Sequence, residues 1–205
     1  MKKQFAFHFD ASRCSGCKTC QVACKDKNNL EVGRLWRRVY EVNLGNWNKK
    51  GNAWINNVTA YNMSISCNHC EDPICVKVCP TSAMHKSKDG LVLVDESKCM
   101  GCRYCEWACP YGAPQYDENG GVMSKCNFCA DYLEEDKSPA CVAACPMRVL
   151  DFGELKEMQK RYGNIDGVFP LPKGEITKPN FVITPHKNSV GSENALAAVN
   201  NEEEV

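Results

Sequence analysis

The chain has 205 residues, with 25 Lys plus Arg against 25 Asp plus Glu, so its formal charge is zero. That balance offers no basic field for nucleic acid, and no apolar run approaches the ~18 residues a membrane-spanning helix requires. Sixteen cysteines in a chain that is neither short nor visibly secreted point away from a disulfide framework and towards metal chemistry.

In chain order, FAFHF at 5–9 places its aromatic residues on one face and predicts a strand entering the first cysteine loop. The segment around it, MKKQFAFHFDASRC, has two lysines but no apolar h-region and no twin arginine, so export is expected to depend on another polypeptide. Group one follows: Cys14, Cys17, Cys20 and Cys24. Residues 25–66 lack cysteine and alternate as RRVYEV and AWINNVTAYNMSI, which predicts a long β-hairpin flap with Trp36, Trp47 and Trp54 as packing or interface residues. Group two is Cys67, Cys70, Cys75 and Cys79. AMHKSKDGLVLVDESKC then predicts a hairpin that turns at Lys88-Asp89-Gly90. Group three, Cys99, Cys102, Cys105 and Cys109, repeats the spacing of group one; group four is Cys126, Cys129, Cys141 and Cys145. Beyond it, VLDF at 149–152 is expected beside the first strand, and GELKEMQKRYG at 153–163 predicts an amphipathic helix burying Leu155, Met158 and Tyr162 and closed by Gly163. Residues 168–187 read as an extended arm on a partner, and 188–205 as a loose polar tail.

Cysteines spaced by two, two and three residues form the bacterial ferredoxin run, in which three thiols hold one [4Fe–4S] cubane and the fourth ligates its companion. Applied here, the inner unit is expected to pair Cys67, Cys70, Cys75 with Cys109, and Cys99, Cys102, Cys105 with Cys79. The outer unit pairs Cys14, Cys17, Cys20 with Cys145, and Cys126, Cys129, Cys141 with Cys24. Gly16 and Gly101 let the backbone approach a cluster, and Pro80, Pro110 and Pro146 end short helices where group one has Lys25 instead. Structural zinc is the rival, since CxxC pairs also make zinc half-sites, but zinc gives no reason for a compact run of four at 14 and again at 99. His69 is expected beside a cluster rather than on it, because the thiols are already sufficient. Arg103, Glu71 and Asp72 are the charges expected to spread the potentials. No Ser/His/Asp set, P-loop or GxGxxG signature is present, so no catalytic residue is assigned.

The expected fold is therefore α+β, with two ferredoxin-like two-cluster modules, one inserted in the other. The outer module takes 1–24 plus 126–167 and the inner 67–125; 25–66 is the flap, and 168–205 the arm and tail.

From CSGCKTCQVACKD through SISCNHCEDPICVKVCP, GCRYCEWACPYGAPQY and CVAACPMRVLDFG to KPNFVITP, the chain resembles the four-cluster iron–sulfur subunits of membrane-bound molybdopterin oxidoreductases, most closely the dimethyl sulfoxide reductase type. The resemblance implies four [4Fe–4S] clusters relaying electrons between a molybdenum or tungsten pterin catalytic subunit and an integral membrane anchor that exchanges electrons with quinone. It also implies a position peripheral to the cytoplasmic membrane, reached on the periplasmic face only by co-export with a catalytic subunit. Nitrate reductase relatives replace a group-three cysteine by tryptophan, whereas Cys102 is in place here; formate dehydrogenase relatives add a C-terminal membrane helix that this sequence lacks. Dimethyl sulfoxide, another S- or N-oxide, tetrathionate, polysulfide and an oxyanion are all compatible terminal substrates.

Overall fold

A computed structural model describes residues 3–191 and 197–205. Strand β1 (Phe5–Asp10) leads into the first cysteine loop and helix α1 (Thr19–Lys27), followed by β2 (Arg38–Leu44), β3 (Trp47–Lys50), β4 (Ala53–Asn56) and β5 (Thr59–Ile65). Around groups two and three lie α2 (Ile74–Lys77), β6 (Met84–Lys86), β7 (Val92–Val94), α3 (Tyr104–Ala108), β8 (Gln115–Asp117) and β9 (Val122–Ser124). The chain continues through α4 (Ala130–Glu134), α5 (Ala140–Ala143), β10 (Leu150–Glu154), α6 (Leu155–Tyr162), β11 (Phe181–Thr184) and β12 (Ala197–Val199).

The core forms around β1, because both of its faces are covered. It pairs antiparallel with β10, Phe7 opposite Phe152, and parallel with β11, Phe7 opposite Phe181. Alternation sends Phe7 and Phe9 into the main apolar core with Phe128, Leu150 and Ile183. Ala6, on the other face, packs with Val182 under Met158, Leu155 and Tyr162 of α6, the three positions that the helical spacing singles out. Gly163 closes that helix at φ 91°, a conformation that only glycine adopts without strain.

Strands β2 and β5 pair from Arg38↔Ile65 to Leu44↔Thr59, and β3 and β4 carry the ribbon onward. Its far end is exposed, with Trp47 at 59% and Trp54 at 63% of full accessibility. Trp36 instead packs against the core and donates from Nε1 to Ser124 Oγ at 3.3 Å. The predicted hairpin after group two is β6–β7, turning through Gly90 at φ 79°; β8 and β9 make a second.

Proline placement sets helix length. Where Pro follows the last cysteine, α2, α3 and α5 stop at Lys77, Ala108 and Ala143, before Cys79, Cys109 and Cys145; with Lys25 in that place, α1 runs through Cys24 to Lys27.

Two readings of the C-terminal region need correction. Phe181, Val182 and Ile183 are almost fully buried in this chain's own sheet, so the arm is not laid wholly on a partner. FVIT between prolines is an apolar run, and the open edge of β1 is the nearest surface that hides both of its faces. The tail is not loose either: β12 pairs with β2, Asn201 Oδ1 accepts from Glu41 N at 2.8 Å, and Asn201 Nδ2 donates to Val39 O at 2.9 Å. Residues 1–2 of the expected outer module and 192–196 of the expected tail lie outside the described residues.

Candidate metal centres

Each cysteine group opens on a CxxC loop, and the residue just before its second cysteine is left-handed in all four. These are Gly16 (φ 70°), His69 (φ 44°), Gly101 (φ 67°) and Phe128 (φ 64°). A side chain is not tolerated equally. A Cβ on Gly101 would collide with the carbonyl oxygen of Gly121, whereas His69 and Phe128 are buried and meet edge to face with ring centroids 5.3 Å apart. Such packing offsets the strain of a left-handed non-glycine residue. His69 Nδ1 accepts from Val92 N at 2.9 Å, and burial together with Lys125 and Lys86 holds its ring well below the usual histidine range. It is a neutral packing residue in the loop.

The loops bring thiols from distant groups together around enclosed spaces. One cavity is lined by Cys67, Cys70, Cys75 and Cys109, a second by Cys14, Cys17, Cys20 and Cys145, and a third by Cys79, Cys99, Cys102 and Cys105. Counting space open to solvent, they measure about 350, 320 and 310 Å³, near enough for one kind of occupant. The remaining four, Cys24, Cys126, Cys129 and Cys141, are all buried. Burial pushes the Cys24 thiol up, and the neighbouring Cys126, Cys141 and Cys129 push it further. Among the described residues no three His, Cys, Asp or Glu side chains are arranged to hold a single metal ion. Thiols that frame a space instead of converging on a point fit a cubane and not tetrahedral zinc.

Donors aim at the sulfurs as a cluster requires. Met84 N reaches Cys79 Sγ at 3.4 Å and Met123 N reaches Cys99 Sγ at 3.3 Å, so β6 and β9 serve one cavity from two sides. Phe128 N reaches Cys126 Sγ at 3.4 Å, and Cys20 Sγ lies 3.4 Å from Ser64 Oγ. Without iron, burial raises Cys75, Cys70 and Cys126 each to about 12. The thiolates that ligation needs are therefore stabilised chiefly by the metal's own charge.

The charges singled out in the sequence are largely compensated. Lys86 lies 2.7 Å from Glu71, Lys77 2.6 Å from Asp72, and Glu106 2.7 Å from Arg103. Sequence reading missed three buried cations, Arg37, Arg38 and Lys125, none of which has a carboxylate ion-pair partner among the described residues. Lys125 donates to the Val92 and Cys126 carbonyls and lines the Cys67 cavity. The available signal was RR at the entry to an alternating strand, where Arg37 immediately precedes β2 and Arg38 opens it.

Two family models described as 4Fe-4S dicluster domain match residues 58–155 and 13–84. An anaerobic dimethyl sulfoxide reductase subunit of Escherichia coli (strain K12) is 54% identical over 189 residues, 92% of each polypeptide. A probable anaerobic dimethyl sulfoxide reductase subunit of the same strain is 50% identical over 205 residues, the whole of both. The thiosulfate reductase electron transfer subunit of Salmonella typhi is 41% identical over 161 residues, 78% of this chain and 80% of that one. The sixteen cysteines match four [4Fe–4S] clusters, and the chain is a member of the family of anaerobic dimethyl sulfoxide reductase iron–sulfur subunits, which transfer electrons and are not the catalytic subunits.

Proposed function

We propose that this chain relays electrons between a quinone-reactive integral membrane anchor and a molybdopterin (molybdenum or tungsten) catalytic subunit of a dimethyl sulfoxide reductase-like complex. The observation that carries the reading is the crossing of the thiol sets: each of three cavities joins three cysteines of one group to the last cysteine of another. The ligand sets are then Cys67, Cys70, Cys75, Cys109; Cys99, Cys102, Cys105, Cys79; Cys14, Cys17, Cys20, Cys145; and Cys126, Cys129, Cys141, Cys24. When bound, each cluster takes up and releases a single electron. The chain's own residues fix the sulfurs, shield them and set the local charge. Crossing in this pattern makes 67–125 an inner module inserted in an outer module of 1–24 plus 126–167, with 25–66 as a flap and 168–205 as the closing arm.

Exposure divides the sites by role. Cys17 is exposed and Cys79, Cys99 and Cys102 are half-exposed, whereas Cys24, Cys126, Cys129 and Cys141 are buried. The site of Cys67, Cys70, Cys75 and Cys109 lies between these, with Cys67 and Cys75 buried and Cys70 and Cys109 half-buried; the two more exposed sites would face the partner subunits and the other two would lie between them. No helix of the described residues is long and apolar enough to cross a membrane, in keeping with a peripheral subunit held by its partners at the cytoplasmic membrane. The exposed hairpin end at Trp47 and Trp54 is one docking surface.

The test uses membranes containing the complete complex. A quinol should generate the EPR signals of reduced clusters, and dimethyl sulfoxide should then abolish them. Signals that a quinol cannot generate contradict the relay; signals that dimethyl sulfoxide leaves untouched but thiosulfate or tetrathionate abolishes assign the same relay another terminal substrate.

A further inference from the structure

Arg37 is 1% exposed, and among the described residues its guanidinium forms no ion pair with a carboxylate. Nη1 donates to Ser64 Oγ at 3.1 Å, Nη2 to Ser66 Oγ at 3.0 Å, the guanidinium sits 4.8 Å from the centre of the Phe7 ring, and Nε has no partner. Two neutral hydroxyls and a ring face do not offset the cost of burying a full positive charge. An anion must supply the rest. Burial opposes the charge, and the sulfurs of Cys141, Cys20, Cys126 and Cys24 lie close enough to act on it. One of these is a single hydroxyl away, since Ser64 Oγ bridges Arg37 Nη1 and Cys20 Sγ. Cys20 belongs to one outer set, and Cys24, Cys126 and Cys141 to the other, so one cation serves both.

Arg38, the next residue, points to the opposite face of β2. It donates from Nη2 to the Tyr111 carbonyl, two residues beyond Cys109 of an inner set, and lies over the Tyr40 ring at 5.7 Å; burial raises the Cys109 thiol and Arg38 opposes that rise. Adjacent arginines at the entry to β2 therefore face different clusters.

We propose that Arg37 is a positioning residue that raises the reduction potentials of the two outer clusters together, while Arg38 does so for the inner cluster that contains Cys109. A cluster gaining an electron gains a negative charge, and a fixed cation in a low-dielectric interior favours that state. Arginine keeps its proton throughout the working range, so the bias does not vary with pH. The proposal rests on the four-cubane reading given above, and iron and labile sulfide analysis of the unmodified complex tests that reading separately.

The experiment is potentiometric titration followed by EPR on the intact complex carrying Arg37→Gln, Arg37→Lys or Arg38→Gln. Arg37→Gln should retain its iron and lower two of the four midpoints by at least 59 mV, a tenfold change in the reduced-to-oxidised ratio for one electron. Arg37→Lys keeps the charge and should leave both within that margin. Arg38→Gln should lower a third midpoint and neither of those two. Any other pattern overturns the proposal: unmoved midpoints, one alone or all four together in Arg37→Gln, an equal displacement by Arg37→Lys, overlap between the two arginines, or iron loss from Arg37→Gln.

Discussion

At the scale of single residues, the cysteine loops were legible because ligation imposes short, local spacings, and three cavities each gather three cysteines of one group with the last of another. Gly16 and Gly101 were legible for the same reason, whereas His69 and Phe128 in the matching left-handed position were not, since nothing local announces a bulky residue held there by packing. Gly101→Ala should destabilise the protein by about 1–2 kcal/mol from backbone strain alone, with more from collision with Gly121; an unchanged denaturant midpoint would refute the role. His8 supplies a pH test away from the thiols. Its ring is buried, stacks 3.5 Å from that of Tyr162 and shares a 2.9 Å hydrogen bond with Thr184 Oγ1. Burial lowers His8 below the ordinary histidine value despite the raising effect of Asp10 and Asp151. Protons therefore bind preferentially to the unfolded chain: the contribution is complete above the unfolded pKa of about 6.5 and is lost as pH falls from there towards the lower folded value. The melting-temperature advantage of the native chain over His8→Asn should narrow between about pH 7.5 and about pH 5.5, and an advantage that grows on acidification would contradict the assignment.

At the scale of elements, hairpins with a turn signal and the helix with a 3.6-residue stripe could be read directly, because their determinants are contiguous. The docking of β11 could not. KPNFVITP specifies an extended apolar segment, but only the three-dimensional sheet supplies the edge of β1 that receives it. This changes what truncation should do. Phe181, Val182 and Ile183 are each at most 3% exposed, and at ~1.5–3 kcal/mol per buried side chain they contribute about 5–9 kcal/mol, comparable with the net stability of a typical domain. Deleting 168–205 should therefore abolish iron retention, whereas deleting only 192–205 should preserve it. Normal iron content after the longer deletion would show that β11 is dispensable.

For the whole molecule, the four sites leave little apolar interior beyond the sheet around β1, and several large side chains finish outside. Trp47, Trp54 and Ile55 at the hairpin end, and Met100 and Trp107 beside group three, are all more than half exposed. Replacing Trp47 and Trp54 together by serine should leave iron content and melting temperature unchanged yet reduce co-purification with partner subunits; undiminished recovery of the complex would remove the hairpin end from the interface. The relay requires sixteen thiols serving four cubanes. Iron, acid-labile sulfide and zinc analysis of the anaerobically purified chain in its complex, corrected for metal carried by the partners, tests this directly. It should give ~16 iron and ~16 sulfide per chain with no stoichiometric zinc; about four zinc and no labile sulfide would make the chain a zinc scaffold and contradict the relay.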